Sequence, residues 1–589
     1  MSSLLLLPSF LRVQAQSNGA SYQSGNGTLP IRNSTYDYIV VGGGASGLVV
    51  SERLAETGKS VLLLERGGPS LYSSGGDVLT PWNDTLTVYD VPALFYSLLT
   101  WPGANAWCTD VPAGTSAGCI LGGGTVLNSM QYVRPPSFDF DDKWPVSWRW
   151  TDVKDSAARL YERIPGTTTP STDGKHYDND VWDVTSRFFM SGGYSQIDSN
   201  EEPEKKYKVY SYPALNIEDG FRASPVRAYL PLAMELPNFK LQMHTKVIRT
   251  IRTKSTVTGV EVEDAAGQRS IINNNPGGKV ILAAGAMSSP RILFNSGIGP
   301  IDQIETVESG STRITLPPRE DWIANEAVGF IRDHTIVTIT FDVPGGTKVL
   351  SQAALDNPSQ EMIDLYAHGS GPLAQSWNRL MSYSTVTNDD GHETFIQTHA
   401  IGRVNDTVQF LVAITHNSTS TGVLGITPEG QTKWTKNPYL QSDSDREAMT
   451  KAIDELLALS RLPNSTLTYS GPSNSTGASV LEAALNGNAS APRMIPGSHM
   501  VGTTIMGMDD GTKNGSSVVD TNCKVYGTGI YISHRLVSST DTIADNLFVV
   551  DAGMHADLPT GNTQAIVMVA AEHAAQKIIA LENAANSTA

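Results

Sequence analysis

Two short apolar runs flank a glycine-rich stretch near the start of the chain. YDYIVV (36–41) and SVLLLE (60–65) are dominated by β-branched and aliphatic residues, which predicts two buried strands. Between them, LVVSERLAETG (48–58) has apolar residues at helical spacing. The pattern therefore predicts a β–α–β unit of about 30 residues.

Later apolar runs indicate that the chain returns to the same sheet. KVILAAGA (279–286) and NLFVVDAG (546–553) are apolar and end in small residues, which predicts two further buried strands. From Thr563 onward, apolar residues recur at helical spacing and predict a last helix. The stretches between these runs are mixed in polarity and carry Trp and Tyr, as expected for a second domain that caps the first.

The expected fold class is α/β, with a discontinuous Rossmann-like domain and a discontinuous α+β capping domain. A chain of 589 residues is too long for one simple core, which agrees with two domains. The Rossmann-like domain is assigned to 36–145, 216–310 and 491–583, and the capping domain to 146–215 and 311–490.

The glycines after the first strand have the spacing of a dinucleotide-binding loop. Gly42, Gly44 and Gly47 form G-x-G-x-x-G, which allows a tight turn, close approach of a pyrophosphate and close helix–strand packing. The helix N-terminus then faces the phosphates. Glu65 ends the second strand, where a carboxylate accepts from ribose hydroxyls and repels a 2′-phosphate. A dinucleotide other than NADP is expected, with NAD and FAD both open at this point.

Composition and the first residues bear on location and partners. The formal net charge is −17 without a long basic run, so nucleic acid is not an expected partner. No apolar stretch is long enough to span a bilayer, so no membrane association is expected. Residues 1–15 are interpreted as a secretory signal and residues 16–35, rich in Ser, Asn and Gly, as a flexible segment.

Glycosylation sequons and cysteines agree with an extracellular location. Cys108 and Cys119 close a short loop and are a plausible disulfide in an oxidising compartment, whereas Cys523 is expected to be a buried free thiol. No metal site is predicted. The N-x-[ST] sequons are at Asn26, Asn33, Asn83, Asn405, Asn417, Asn464, Asn474, Asn488, Asn514 and Asn586.

Three further stretches carry a family resemblance. They are AGCILGGGTVLNSMQY (117–132), GAMSSPRILFNSGIG (285–299) and DAGMHADLPTGNTQAIVMVAAEHAAQKII (551–579). At these residues the chain resembles the glucose–methanol–choline (GMC) oxidoreductase family, over about Tyr36 to Leu581. Within the family it resembles most the flavin domain of cellobiose dehydrogenases. Only about 20 residues separate the interpreted signal from Tyr36, so no haem domain is expected in this chain.

The resemblance implies that the dinucleotide is FAD. It places the ADP half against the first glycine loop and Glu65, the adenine against the backbone of Val247, and the ribityl side against Asp551. The start of the last helix would stabilise negative charge on a reduced flavin. The implied cofactor residues are Gly42, Gly44, Ala45, Ser46, Gly47, Glu65, Arg66, Gly123, Gly124, Asn128, Ser129, Val247, Ala284, Asp551, Ala552 and Thr563.

The resemblance also implies a catalytic pair. A lone histidine in an apolar run is more often a core residue, but His499 lies in MIPGSHMVGTTIMG (494–507), which is similar to the family's catalytic segment. Asn562 takes the place of the second active-site residue. His499 would remove the proton of a C–OH group, Asn562 would orient the oxygen, and hydride would pass to FAD N5.

The implied protein is a secreted, monomeric FAD-dependent dehydrogenase or oxidase. Its substrate would be a saccharide or another small alcohol, and a quinone, a one-electron acceptor or oxygen would reoxidise it. Two other classes stay open: an FAD-containing lyase resembling hydroxynitrile lyases, and a secreted flavoprotein that acts as a binding module.

The sequence departs from the cellobiose dehydrogenase pattern in three places. Gly497–Ser498 stands where Ser–Asn is usual before the catalytic histidine, and SWNRLMSYST (376–385) matches poorly around the sugar-recognising positions. About 16 extra residues, 529–544, intervene between VYGT and NLF. They are either an added surface loop or a retained intron translated in frame.

Overall fold

The computed structural model describes residues 29–487, 492–529 and 546–587. The interpreted signal peptide and nearly all of the 529–544 insertion therefore lie outside the described residues. The strands are, in chain order, β1 (Tyr36–Val41), β2 (Val61–Leu64), β3 (Leu79–Thr80), β4 (Asn83–Thr87), β5 (Ser195–Gln196), β6 (Val209–Ser211), β7 (Ile217–Glu218), β8 (Phe221–Arg222), β9 (Phe239–Gln242), β10 (Thr245–Thr253), β11 (Thr256–Asp264), β12 (Arg269–Leu282), β13 (Ile298–Gly299), β14 (Ile323–Ala324), β15 (Phe330–Ile331), β16 (Thr335–Asp342), β17 (Asn378–Thr387), β18 (Glu393–Arg403), β19 (Thr407–Ile414), β20 (Gly422–Ile426), β21 (Thr432–Lys436), β22 (Thr468–Tyr469), β23 (Arg493–Pro496) and β24 (Leu547–Val549). The helices are α1 (Ala45–Ala55), α2 (Phe138–Asp141), α3 (Trp150–Arg163), α4 (Asp180–Ser191), α5 (Pro225–Ala228), α6 (Leu230–Met234), α7 (Ser289–Asn295), α8 (Ile301–Ser309), α9 (Gln352–Asp356), α10 (Gln360–Tyr366), α11 (Asp443–Ser460), α12 (Gly477–Leu485) and α13 (Gln564–Ser587).

A parallel sheet forms the centre of the first domain. Its strand order is β9–β2–β1–β12–β24, and every neighbouring pair is parallel. The four apolar runs of the sequence supply β1, β2, the end of β12 and β24, so these strand predictions are confirmed. Parallel strands buried on both faces read as continuous apolar runs, which is why the sequence pattern was informative here.

Strand β12 belongs to two sheets. Its first half pairs antiparallel with β11, which pairs with β10, and its second half enters the parallel sheet. The turn between β10 and β11 also holds both ends of the 530–545 segment. Gly529 N donates to Ser255 O at 2.9 Å, and Asn546 Nδ2 donates to Val257 O at 2.5 Å.

Helices α1 and α13 cover one another beside this sheet. The third fingerprint glycine allows the close approach of α1 to β1. A Cβ at Gly47 would lie 1.8 Å from Gly42 O, so no other residue fits there. The predicted last helix is confirmed as α13. The apolar residues of its first half are buried: Ala565, Ile566, Met568, Val569, Ala570 and Ala571.

The second domain is built on a mostly antiparallel sheet. Its order is β22–β16–β19–β18–β17–β6–β5, with β23 also paired to β16. One face packs its apolar side chains against α4 and α11. Because β23 lies in this sheet, the chain passes back toward the first domain after Pro496, a few residues beyond the expected boundary at 490.

The first described residues and the cysteines also have defined positions in the fold. Residues 29–35, part of the segment expected to be flexible, make a pair of backbone hydrogen bonds with Ile271 of β12, both at 2.9 Å. The disulfide Cys108–Cys119 is formed, as predicted, and Cys523 is a buried free thiol whose pKa is raised well above its ordinary value by burial. Among the described residues, the helices are too short or too polar to cross a membrane.

The contact at Gly47 gives a stability prediction. Gly47→Ala places a methyl group against a backbone oxygen and should lower the free energy of unfolding by about 1–3 kcal/mol or more, as overpacking does. Gly44→Ala is the matched control, because a Cβ at Gly44 meets nothing within 4 Å and its φ of −88° suits alanine. Urea unfolding of nucleotide-free protein measures both; equal midpoints for the two variants would contradict the packing argument.

Candidate active site

A long cleft opens at the carboxyl ends of the parallel strands. Its empty volume is about 1220 Å³, including the open mouth. Ligands bind at this edge in open α/β sheets because the loops that follow the strands converge there. The sequence-predicted residues that line the cleft are Gly42, Gly44, Ala45, Ser46, Glu65, Arg66, Gly123, Gly124, Val247, Ala284, His499, Asp551, Ala552 and Thr563.

Glu65 lies at the end of β2 with both oxygens held by backbone amides. Oε2 accepts from Gly43 N at 2.8 Å and Oε1 accepts from Gly67 N at 2.7 Å. Burial raises the pKa of this carboxyl, and the two amide donors oppose that rise. The side chain is thereby fixed at the cleft wall, where each carboxylate oxygen has a further lone pair for a ribose hydroxyl.

The cleft has room for a flavin dinucleotide, and unpaired polar atoms lie near it at the start of α13. Cβ atoms at Gly44, Gly124 and Gly285 would meet nothing within 4 Å, so these backbones are open to a ligand. Asn562 Oδ1 and Gln564 Nε2 are buried without a protein partner beside the start of α13. Buried polar atoms of this kind need a partner, and the polar edge of an isoalloxazine ring could supply one. The residues present therefore fit FAD.

Three predicted cofactor residues do not line the cleft. Gly47 serves helix–strand packing, as described above. Asn128 Nδ2 donates to Gln564 Oε1 at 2.7 Å, and its Oδ1 accepts from Met130 N at 3.0 Å. Ser129 donates its hydroxyl to the side chain of Gln131. Asn128 and Ser129 thus order the loop beside α13, and their contact with FAD stays a prediction.

Asp551 joins two strand ends at the floor of the cleft. Its Oδ2 accepts from Gly285 N at 2.9 Å and from Ser289 Oγ at 2.5 Å, and its Oδ1 accepts from Gly553 N at 2.8 Å. The segment after β24 is therefore tied to the start of α7, after β12. This bond network fixes the segment that the sequence assigns to the ribityl side.

A cluster of charges that sequence reasoning missed lies at the other end of the cleft. Asp110 stands in the disulfide loop and accepts two bonds from Arg66, at 3.1 and 3.0 Å. Lys246 Nζ at 3.0 Å and Arg291 Nη1 at 2.7 Å share its Oδ2. These cations hold the pKa of Asp110 well below its usual range, against the effect of burial. One carboxylate thus fastens the loop to three separate segments.

His499 projects from a bulge between two antiparallel bridges. Thr335 pairs with Pro496 and Arg332 pairs with Val501. Between these two pairs, residues 333–334 of one segment lie opposite residues 497–500 of the other. Within the bulge, Asp333 Oδ1 accepts from His499 N at 2.7 Å and Oδ2 accepts from Ser498 N at 3.1 Å. A longer strand on one side must arch outward, which carries the histidine into the cleft.

The bulge accounts for the departure at Gly497 and not for the one at Ser498. A Cβ at Gly497 would lie 2.6 Å from His334 O, so a side chain there is excluded by the neighbouring strand. Ser498 has a φ of 58°, a left-handed conformation that is uncommon for serine.

The predicted pair, His499 and Asn562, meets in the structure. Asn562 Nδ2 lies 3.3 Å from His499 Nε2; the Asn562 side chain is buried, and His499 is partly buried and lines the cleft. Burial lowers the pKa of His499 to about 4, so the ring is neutral at ordinary pH and can accept a proton. His399 on β18 is also near, since the positive charge of a protonated His499 adds to burial in lowering the pKa of His399 to about 3.

A charged network behind the cleft positions the Asn562 loop, 557–562. Asp139 accepts from the backbone and the hydroxyl of Thr560, each at 3.1 Å. His416 Nδ1 lies 2.9 Å from Leu558 O, and its Nε2 lies 2.9 Å from Asp142 Oδ2. Both ring nitrogens face acceptors, which favours the charged form and raises the pKa of His416 against the effect of burial.

Fold and cleft together define a two-domain dinucleotide-binding protein, and comparisons with known proteins give the family. The GMC oxidoreductase model matches residues 36–315, and its C-terminal counterpart matches residues 426–532. The chain belongs to the GMC oxidoreductase family, and its cofactor is FAD.

Individual relatives are distant. Glucose dehydrogenase (FAD, quinone) of Drosophila melanogaster is 31% identical over 301 residues, 46% of this chain and 45% of the relative. An uncharacterised GMC-type oxidoreductase of Rhodococcus erythropolis is 30% identical over 277 residues, 46% of this chain and 54% of the relative. The match thus spans about half the length of these relatives.

A solved structure supports the fold alone. A formate oxidase variant from Aspergillus oryzae superposes with a TM-score of 0.72 at 18% identity, covering 94% of this chain and 99% of that chain. The expected fold class is confirmed.

The Asp110 cluster predicts how the disulfide loop is retained. Asp110→Asn leaves three cations close together without their anion, and breaking a largely buried charge cluster costs about 3–5 kcal/mol. We expect a lower melting temperature and faster release of FAD, measured by the fluorescence of flavin set free on heating.

The contribution of Asp110 to the free energy of unfolding depends on pH with a defined sign. Because the folded-state pKa of Asp110 is depressed, its stabilisation is full above the unfolded-state value of about 3.9 and is lost as the pH falls through the lower folded-state pKa.

Asp155→Asn, at an exposed position on α3, is the control for Asp110→Asn and should keep the melting temperature and the FAD retention of the unmodified protein. If Asp110→Asn kept both melting temperature and FAD, the cluster would have no role in retention.

Proposed function

We propose that the protein is an FAD-dependent oxidoreductase that oxidises a C–OH group of a saccharide or another alcohol. The observation that carries the proposal is the pair of His499, which lines the cleft, and Asn562, which lies next to it just before α13. A neutral imidazole with an amide next to it supplies both a proton acceptor and a donor to a substrate oxygen.

Each group has a defined task in this proposal. FAD, when bound, supplies hydride acceptance at N5. His499 Nε2 takes the hydroxyl proton, and Asn562 Nδ2 donates to the substrate oxygen. The unpaired amides of the first turn of α13 place positive potential at the same end of the cleft, which favours negative charge there.

The substrate class rests on resemblance and on one departure from it. Likeness to the flavin domain of cellobiose dehydrogenases supports a saccharide, and a relative named as a glucose dehydrogenase with quinone points in the same direction. The segment before His499 has Gly497 and Ser498 and so lacks the amide that would bond a sugar hydroxyl. A site without that partner discriminates less sharply, so aryl and other small alcohols belong to the proposed range.

The central test removes the base. His499→Ala should lower the rate of flavin reduction by about 10²–10⁴-fold, because general-base catalysis contributes that much, while FAD stays bound. The measurement is anaerobic bleaching of the flavin absorbance band after mixing with a panel of sugars and alcohols. In the unmodified protein, the rate should rise with pH through about 4 and then level off, since the base acts unprotonated.

Controls separate this proposal from its rivals. His368→Ala, at an exposed position after α10, should reduce its flavin at the unmodified rate. Cyanohydrin turnover without bleaching would identify a lyase, and absence of any response would identify a binding module. Near-normal reduction in His499→Ala would rule out this histidine as the base.

We also propose that the protein is a secreted glycoprotein. Support comes from the signal-like residues 1–15, from the disulfide Cys108–Cys119, and from sequons whose asparagines are exposed. Those asparagines are Asn33, Asn405, Asn464, Asn474 and Asn514. Culture supernatant should contain protein that begins near Gln16 and loses mass on treatment with an N-glycosidase; an intact leader or an unchanged mass would contradict this.

A further inference from the structure

A second histidine, His334, lies directly behind the proposed base. It immediately precedes β16, and its Nδ1 lies 3.0 Å from Nδ1 of His499. The two rings are nearly perpendicular, with an interplanar angle of 76° and centroids 4.9 Å apart. Sequence reasoning did not select this residue, and the proposed function does not use it.

The other nitrogen of His334 fixes where its proton is. His334 Nε2 lies 3.2 Å from the carbonyl oxygen of Pro559, which can only accept a hydrogen bond. Nε2 must therefore carry a hydrogen. The ring is fully buried, and burial, followed by the nearby His499, lowers the pKa of His334 well below its ordinary value. A neutral imidazole has a single N–H, so Nδ1 of His334 presents a lone pair.

The same reasoning determines which ring nitrogen of His499 carries the hydrogen. Two lone pairs facing each other at 3.0 Å would repel, so Nδ1 of His499 must carry the hydrogen that His334 accepts. His499 is itself neutral, and its Nε2 then has the lone pair. Asn562 Nδ2, 3.3 Å away, meets that lone pair as a donor. The opposite tautomer would set N–H against N–H at this second contact.

We propose that His334 is a positioning residue that holds His499 in the Nδ1–H tautomer and so makes Nε2 the proton acceptor. The role of Nε2 in oxidation rests on the proposed function, whereas the tautomer does not. When the substrate O–H bond breaks, the proton forms an N–H bond at Nε2 of His499. The resulting imidazolium keeps its Nδ1–H bond to the lone pair of His334, so the neighbour that selects the tautomer also stabilises the charge.

One loop supplies both ends of this chain of hydrogen bonds. Pro559 and Asn562 belong to the loop 557–562, which Asp139 and His416 hold in place. His334 comes from the second sheet, and His499 from the bulge opposite it. The tautomer is therefore set where the loop 557–562 meets the start of β16. In the part of the chain that the structure describes, the ring nitrogens of His334 and His499 bond to each other, to Pro559 O and to Asn562 Nδ2.

The direct test is the tautomer itself. In the FAD-loaded protein with ¹⁵N-labelled histidine, two-bond ¹H–¹⁵N correlation distinguishes protonated from unprotonated ring nitrogens. The His499 signals, assigned by their loss in His499→Ala, should show the hydrogen on Nδ1 and none on Nε2. A hydrogen on Nε2 in the resting protein would overturn the proposal, whatever the enzyme's substrate.

Two substitutions then test the positioning role. His334→Leu removes the acceptor and should mix the tautomers of His499 and lower the limiting rate of flavin reduction by about 10²-fold, with substrate affinity changed by less than about threefold. His334→Asn keeps an acceptor near the position of Nδ1 and should retain the rate within about tenfold. His368→Leu is the control for loss of a histidine elsewhere.

The outcomes are separable. If both His334 variants reduced flavin at the unmodified rate, or if Asn rescued nothing relative to Leu, the positioning role would be wrong. If no substrate bleached the flavin in any variant, the proposed function would fail, and the tautomer measurement would still decide which ring nitrogen of His499 carries the hydrogen. If His334→Leu did not fold, the unmodified spectrum and His334→Asn would carry the test.

Discussion

The carboxylate of Asp333 is the point on which the site depends. It lies between the Arg332–Val501 bridge and β16, is buried, and accepts from the backbone amides of Ser498 and His499 and from Tyr439 Oη at 2.9 Å. A buried acid needs such donors because an unpaired charge in the interior is costly. Burial still raises its pKa to about 7. The arch that presents His499 exists because this group replaces the missing ladder bonds.

The first domain could be predicted from the sequence because its signals are local. The strands β1 and β2, the glycines between them and helix α13 each follow from residues close together in the chain. Most of the predicted cofactor residues line the cleft for the same reason, since each lies just after a strand whose end is fixed by the sheet. The disulfide could be predicted because Cys108 and Cys119 close a short loop.

The parts that could not be predicted depend on long-range contacts. Asp333 and His334 read as two polar residues before an apolar strand, and nothing nearby indicates that residues 497–499 lie opposite them. Asp110 reads as a loop acid until Arg66, Lys246 and Arg291 are brought to it by three different segments. Asn128 carried a family expectation, but a bond to Gln564 across the fold determines where its amide points.

The anchors at Gly529 and Asn546 have a consequence for gene structure and protein engineering. Both are bonded to one tight hairpin, at Ser255 and Val257, so the chain leaves and re-enters the fold at nearly the same place. Closing a loop whose ends already meet costs little and depends weakly on its length. Splice forms that differ here can therefore share one pairing of the flanking strands, and so can a protein with an affinity tag grafted between these two anchors.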